Sequence, residues 1–115
     1  MNSLIDESVI QNMKDDLGKD TCHKLIGLFI EETRLLLVDL EHAFEVMDLA
    51  VIENATHILK NSAMLYGATS VAINAKEIND RLCSPRKIIN NTDKQLLALI
   101  RTTLKAYNSK YNNAV

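Results

Sequence analysis

The apolar residues of this chain recur three and four positions apart, which is the spacing of an amphipathic α-helix. The longest stripe predicts a long helix and consists of Leu25, Ile26, Leu28, Phe29, Leu36, Leu37, Leu40, Phe44 and Met47. The other side of that helix is charged and carries Glu31, Glu32, Arg34, Asp39, Glu41 and Glu45. No segment shows a convincing period of two, so a β-sheet is not expected.

A short helix precedes the long one. Its apolar stripe is Val9, Ile10, Met13 and Leu17. Asp6 is suited to cap it, because an aspartate accepts hydrogen bonds from the free N–H groups of a first turn, and Gly18 is a natural end. Asp20 or Thr21 can then start the long helix.

A third helix follows after a tight connection. Its apolar stripe is Ile52, Ala55, Leu59, Ala63 and Tyr66. Asp48 is the predicted cap, and Gly67 the predicted end, because glycine adopts the left-handed conformation there without strain. So short a connection predicts that the second and third helices are antiparallel neighbours.

A fourth helix is predicted from Thr69 or Ser70, either of which can cap it, to about Leu82. Its apolar stripe is Val71, Ala75, Ile78 and Leu82. Pro85 cannot continue the helix, and residues 84–91 form a polar, irregular linker.

A fifth helix is predicted after a cap at Thr92 or Asp93. Its apolar stripe is Leu96, Leu97, Ile100, Leu104 and Tyr107. Residues 108–115 are polar and are expected to fray.

Four substantial helices with one-sided stripes and mostly short connections predict an all-α fold. The expected architecture is an antiparallel up-down-up-down four-helix bundle, with the additional short N-terminal helix packed over one end. A chain of 115 residues is within the size of one domain, so residues 1–115 are expected to form a single unit.

The composition excludes several classes of protein. No apolar run approaches the ~20 residues of a membrane span, and the N-terminus does not resemble a signal peptide, so we expect a cytoplasmic protein without membrane insertion. Cys22 and Cys83 are too few for a disulfide framework and are expected to be reduced, packed thiols. The net charge of −2 disfavours nucleic-acid binding.

The charge is unevenly distributed along the chain. Residues 1–53 hold twelve acids and four bases, giving −8, whereas residues 54–115 hold three acids and nine bases, giving +6. The basic half would favour a phosphoryl group or an acidic partner surface.

His57 lies in the third helix, at the centre of the candidate chemistry. At about 100° per residue, it points away from the mean direction of the apolar stripe and therefore towards solvent. Glu53, Lys60, Asn61 and Met64 share its side, and Lys60 is a surface neighbour because it lies three positions further on. This places a nucleophile beside a fixed positive charge.

The residues around His57 also resemble a known signature. His-Ile-Leu-Lys-Asn-Ser-Ala, followed by Gly67 and Ala68, matches most of H-x-L-K-G-[SA]-[SA]-x-x-x-G-A, the signature of histidine-containing phosphotransfer (HPt) domains. The likeness extends over residues 9–82 and includes Leu-Gly-Lys-Asp at 17–20 and Leu-Phe-Ile-Glu-Glu at 28–32. The chain is also similar in size to the freestanding, LuxU-type phosphorelay proteins.

This resemblance implies roles for two residues. His57 would be the phosphoacceptor, and Lys60 would compensate the charge of the phosphate oxygens. Ser62 and Ala63 are interpreted as small residues that allow close helix packing, and Gly67 as a helix stop.

Three further positions are expected at the site surface, where a partner would dock: Asn61, Met64 and Asn79. Asn61 departs from the family, which usually has glycine four residues after the histidine. An asparagine there can obstruct the partner or donate a hydrogen bond to the phosphate. Leu65 is a further candidate for an apolar docking patch.

The resemblance implies a phosphorelay intermediate of a bacterial two-component pathway, without ATPase or autokinase activity. It would accept a phosphoryl group from a receiver domain of a hybrid sensor kinase and pass it to the receiver of a response regulator. No cofactor is expected, since Mg²⁺ would be bound by the partner. We expect a monomer.

Alternative functions remain open at this point. A helical adaptor, including a degenerate HPt homologue, would bind a partner without phosphate chemistry. The phosphoacceptor hairpin of a sensor kinase also carries a helical histidine, but its motif ends in a proline where this chain has Ser62. His23 and His42 show no metal-ligand spacing, and no hydrolase or redox motif is present, so neither a metal site nor an enzyme is expected.

Overall fold

The computed structural model describes residues 4–111, which form five α-helices and one short 3₁₀ turn. The helices are α1 (Glu7–Leu17), α2 (Lys19–Val46), α3 (Leu49–Leu65), α4 (Thr69–Leu82) and α5 (Gln95–Tyr111), and the 3₁₀ turn is Asn91–Lys94. No strand occurs among these residues. The predicted all-α fold is confirmed.

Helices α2 to α5 form the bundle. Helix α3 packs between α2 and α4, α5 closes the ring by packing on both α4 and α2, and α1 lies against α2. The 28 residues of α2 run along the 44 Å length of the molecule. Between residues 4 and 111, no helix is both long enough and apolar enough to cross a membrane.

The buried faces of α2 to α5 follow their predicted stripes closely, whereas in the α1 stripe only Ile10 is buried and Leu17 is 50% exposed, at the end of that helix. The largest side chains without exposure in the core include Leu40, Ile52, Leu59, Leu82, Ile100 and Tyr107. The hydroxyl of Tyr107 donates a hydrogen bond to the Tyr66 carbonyl oxygen at 2.7 Å, which fixes the orientation of the buried ring. Burial raises the pKa of the Tyr107 hydroxyl, which therefore stays protonated as that donor.

Two residues of the predicted α2 stripe are exposed, and Leu25 is only half-buried. Leu28 is 65% exposed, because the apolar positions around it cover a wider arc of the helix than the bundle buries. Met47 is 52% exposed, because α2 ends before it and its φ of 56° turns the chain towards α3. Thr33, which is not apolar, is buried instead.

Local signals located three helix ends correctly. The Asp6 carboxylate accepts from the Ser8 N–H at 3.0 Å at the start of α1, and the Asp48 carboxylate accepts from the Val51 N–H at 3.2 Å at the start of α3. Gly18 ends α1 with a φ of 89°.

Two predicted helix starts were wrong. Helix α2 begins at Lys19, directly after Gly18, so neither Asp20 nor Thr21 caps it. Helix α4 begins at Thr69 after Ala68, without a side-chain cap, because the Ala68 N–H closes the end of α3 by donating to the Ala63 carbonyl at 2.8 Å. Thr69 and Ser70 both lie within α4, so neither can act as its cap.

The last helix also differs from the prediction at both ends. The 3₁₀ turn follows Asn90 as its cap and therefore starts earlier than a cap at Thr92 or Asp93 would place it. Asp93 lies at the third position of the turn, and its carboxylate accepts from the Asn90 N–H at 2.8 Å. Helix α5 continues to Tyr111 instead of fraying at residue 108, because Lys110 and Tyr111 bind the carboxylate of Glu7 in α1. Residues 112–115 of the predicted tail lie outside the described range.

Gly67 has a second role besides ending α3. Its φ is 87°, and a Cβ there would lie 2.9 Å from the Asp6 carbonyl oxygen and 3.3 Å from Val9 Cβ. The Gly67 carbonyl accepts from the Asp6 N–H at 2.7 Å. The start of α1 is therefore fixed directly to the end of α3.

Replacing Gly67 by alanine is expected to lower the free energy of unfolding by about 3 kcal/mol, since it combines backbone strain with a clash against backbone. Urea unfolding followed by circular dichroism measures this change. Gly27→Ala is the control, because Gly27 lies within α2 with nothing within 4 Å of an added Cβ. That control should raise the stability by about 0.5–1 kcal/mol, through helix propensity. Equal stabilities of the two variants would contradict this account of Gly67.

Arg81 and Asp93 connect the end of α4 to the start of the last helix. The guanidinium donates to both carboxylate oxygens, at 2.6 and 2.7 Å, and also to the Ile88 carbonyl at 3.2 Å. Burial acts to raise the pKa of the Asp93 carboxyl, but the hydrogen bonds from Arg81 and the Asn90 N–H outweigh it and hold that pKa below its usual range.

Asp93→Asn is therefore expected to cost about 2 kcal/mol at pH 7. A carboxyl whose pKa is lower in the folded than in the unfolded state stabilises the fold above its unfolded pKa of about 3.9, and that contribution is lost as the pH falls through the folded pKa. Denaturant unfolding at pH 7 and at pH 3 should therefore give a smaller difference between variant and wild type at pH 3. The control is Asp80→Asn, in an exposed pair with Lys76, which should change little at either pH. A pH-independent effect of Asp93→Asn would refute this interpretation.

Candidate functional site

His57 lies on the exposed side of α3, as the helical spacing predicts. Ile52, Leu59 and Ala63, on the opposite side of the same helix, have no exposure. Because α3 is packed along that side by α2 and α4, the imidazole is presented to solvent from a helix that is held along its length.

A cavity of about 310 Å³ adjoins His57 between α3 and α4. Its lining residues are Ala50, Glu53, Asn54 and His57 from α3, Asn79 from α4, and Cys83 just after α4.

Cys22 is buried, as predicted, but Cys83 is exposed. The prediction of a packed thiol was wrong for Cys83, because it follows the last turn of α4 and its Sγ lies at the mouth of this cavity, 3.8 Å from Glu53 Oε2.

Asn79 joins α4 to α3 beneath the exposed face. Its Nδ2 donates to the Glu53 carbonyl oxygen at 2.8 Å and to Thr56 Oγ1 at 3.3 Å, and its Oδ1 accepts from Lys60 Nζ at 3.1 Å. The side chain is 2% exposed. The predicted place of Asn79 on a docking surface was therefore wrong, since its amide points into α3 and is used up by these contacts.

Lys60 is half-buried, and it is not a freely solvated neighbour of His57. Its ammonium binds Asn79, which lines the cavity beside the imidazole. The positive charge that the sequence placed next to His57 is thus bound by a residue of the following helix that lines the histidine's cavity.

Lys87 brings a second positive charge to this region, which sequence reasoning missed. Its Nζ lies 3.2 Å from Glu53 Oε1 and donates to the Leu82 carbonyl at 3.1 Å. Glu53 precedes His57 by one helical turn, so without Lys87 its negative charge would oppose an incoming phosphate. No local pattern could have revealed this pair, because 34 residues separate its members.

Asn61 and Met64 lie on the exposed surface, as predicted. Asn61 Nδ2 donates to the His57 carbonyl oxygen at 3.2 Å, so its side chain lies along its own helix. Both residues border a second cavity of about 310 Å³ on this side of α3, lined also by Lys60, Ala72, Ile73 and Lys76. Met64 is 53% exposed, and the neighbouring Leu65 is 64% exposed.

The small residues after His57 lie at the helix contacts. Ala63 has no exposure, and Ser62 is half-buried with its hydroxyl 3.5 Å from the Leu59 carbonyl. Both positions fit the expected role in close packing. Gly67 ends the segment, as described above.

Two further histidines lie on α2. His23 and His42 are both exposed, and His42 borders a groove between α2 and α3 with Val38, Asp39 and Val51. Within residues 4–111, no three His, Cys, Asp or Glu side chains are grouped so that they could hold a metal ion.

A bundle of four helices with an exposed histidine on the second of them, preceded by a short helix, is the architecture that the HPt resemblance implies. Comparison with solved structures agrees with it. The chain superimposes on the crystal structure of histidine-containing phosphotransfer protein B (HptB) from Pseudomonas aeruginosa PAO1 with a TM-score of 0.82, over 98% of this chain and 95% of that one. The sequence identity is 16%, so this likeness establishes the fold.

No protein-family model and no curated protein sequence matches the chain. The HPt fold is confirmed by three-dimensional similarity alone, which persists where sequence similarity is low.

Proposed function

We propose that this protein is a phosphorelay intermediate that carries a phosphoryl group on His57. The observation that carries the proposal is the exposed imidazole on a packed helix of an HPt fold, with the ammonium of Lys60 held beside its cavity. HptB, whose structure this chain resembles, is a histidine-containing phosphotransfer protein, which supports the same role here.

The reaction needs alignment and charge stabilisation more than other chemistry from the protein. An imidazole nitrogen of His57 attacks the phosphorus of an aspartyl phosphate on a receiver domain. The new N–P bond forms as the P–O bond to the aspartate breaks, and the carboxylate leaves with the bonding electron pair. The reverse step passes the group to the aspartate of another receiver.

The proposed donor is the receiver domain of a hybrid sensor kinase, and the proposed acceptor is that of a response regulator. The protein itself would have neither ATPase nor autokinase activity, and Mg²⁺ would be bound by the receiver. Exposed apolar side chains on α2, α3 and α4 suit such docking: Val38, Val51, Ile58, Met64 and Ile73. Polar residues between them would form the rim.

The test is incubation with a phosphorylated receiver domain, followed by intact-mass and acid-stability analysis. We expect wild type to gain one phosphate that is labile in acid and stable in base, and His57→Gln to gain none. Circular dichroism of His57→Gln should match wild type, because the side chain is exposed. His23→Gln, at another exposed histidine, is the control and should gain the phosphate normally.

Two results would contradict the proposal. Phosphorylation of His57→Gln would show that another residue is the acceptor. No phosphate on folded wild type from several receivers or from phosphoramidate would instead favour a helical adaptor that binds a partner without phosphate transfer.

Asn61→Gly, which restores the residue usual in the family, is expected to retain or raise the transfer rate, by up to about threefold or 0.6 kcal/mol of barrier. Its side chain adds bulk beside His57 and is bound to its own helix, so removing it opens the approach of the receiver. Phosphotransfer assays quenched at successive times measure the rate.

Asn74→Gly is the matched control, because Asn74 makes the same bond to the carbonyl four residues earlier, at 2.9 Å, and lies in α4. Both variants should lose about 0.5 kcal/mol of stability through helix propensity, but the control should not change the rate. A rate that falls in Asn61→Gly alone would mean that the asparagine assists transfer.

A further inference from the structure

We propose that Asn79, which lines the His57 cavity, is a positioning residue: it holds the Lys60 ammonium next to that cavity, so that its charge is in place before a phosphoryl group arrives. The inference rests on the proposed function of His57. It assigns the charge stabilisation at the site to a pair of residues on two helices, where the signature contains only the lysine.

The orientation of the Asn79 amide follows from its partners. The Glu53 carbonyl oxygen can only accept, so the Asn79 atom 2.8 Å from it must be the nitrogen. Lys60 Nζ can only donate, so the atom 3.1 Å from it must be the oxygen. Thr56 Oγ1 donates to the Ile52 carbonyl at 2.7 Å and is thereby left as an acceptor for the second Nδ2 hydrogen. The amide is thus fixed by α3 with its oxygen towards Lys60.

Burial makes this contact more rigid than a surface hydrogen bond. Asn79 is 2% exposed and sits on α4, the helix that packs most extensively on α3. A lysine side chain has four rotatable bonds and explores many conformations when it is solvated. A buried acceptor that cannot move restricts the ammonium to the neighbourhood of the His57 cavity.

The acceptor is neutral, which matters for the charge. Six basic residues among those described form ion pairs with carboxylates, including Lys76 with Asp80 and Lys87 with Glu53. Lys60 is instead held by an amide, which orients the ammonium without neutralising it. An ammonium has three hydrogens, so two remain to bind phosphate oxygens.

Such an arrangement favours the transition state. A charge that is already in place needs no reorganisation when negative charge develops on the transferring group. Without Asn79, the lysine would have to be ordered during the transfer itself, and that entropy would be lost at the barrier.

The test is a double-mutant cycle on the phosphotransfer rate, using Asn79→Leu, Lys60→Ala and the combination. Leucine has a similar volume and removes the acceptor oxygen. We expect Asn79→Leu and Lys60→Ala each to slow transfer about tenfold, and the combination to be no slower than Lys60→Ala alone. Asn74→Leu is the control, because Asn74 is an exposed asparagine of the same helix whose amide donates to the Ser70 carbonyl of that helix; it should transfer at the wild-type rate.

A second measurement does not depend on phosphate. In ¹⁵N NMR of the unphosphorylated protein, the Lys60 ammonium hydrogens should be protected from solvent exchange in wild type and Asn74→Leu and exchange freely in Asn79→Leu. Lys105, an exposed lysine of α5, should exchange freely throughout.

The outcomes separate this inference from the proposed function. Absence of phosphorylation in wild type would reject the carrier role, whereas the protection of Lys60 would still report on the contact. Unprotected Lys60 in wild type, an unchanged or faster rate in folded Asn79→Leu, or the same slowing by Asn79→Leu in the Lys60→Ala background would each overturn the positioning role. If Asn79→Leu does not fold, the wild-type exchange measurement still decides.

Discussion

The close contact between α3 and α4 determines where every group at the site lies. Both helices bury small side chains, since Ala55 and Ala63 of α3 and Ala72 and Ala75 of α4 are all at least 98% buried. Alanine at these positions allows the backbones to approach, and only then can the short side chain of Asn79 reach the main chain of α3. A larger residue in the contact would separate the histidine from the groups that now surround it.

The contact also explains why the site combines charges of different origin. Lys60 belongs to the histidine's own helix, whereas Lys87 comes from the segment after α4 and compensates Glu53. The Arg81 and Asp93 pair holds that segment in place at its other end. The electrostatics around His57 are therefore a property of the α3–α4 pair and the turn that follows it, although the recognisable sequence signature lies in α3 and the residues that end it.

The sequence was a good guide wherever a single helix contains the information. Periodicity located the buried faces, the exposure of His57 and the order of the helices, and Asp6, Gly18 and Asp48 marked helix ends through contacts within a few residues. It failed where distant parts of the chain meet. Asn79 looks like any polar residue on a helix until α3 surrounds it, and the extension of α5 depends on Glu7, about a hundred residues earlier.

Gly67 fixes one end of the histidine's helix to α1, and Asp48 caps the other. The conformational entropy of a helix fixed at both ends changes little when its histidine is phosphorylated. In the proposed role, the carrier would then contribute almost the same conformational free energy to loading and to unloading. The net direction of phosphoryl transfer would be governed by the relative stabilities of the aspartyl phosphates on its two partners. The same molecule could then phosphorylate a regulator or remove its phosphoryl group.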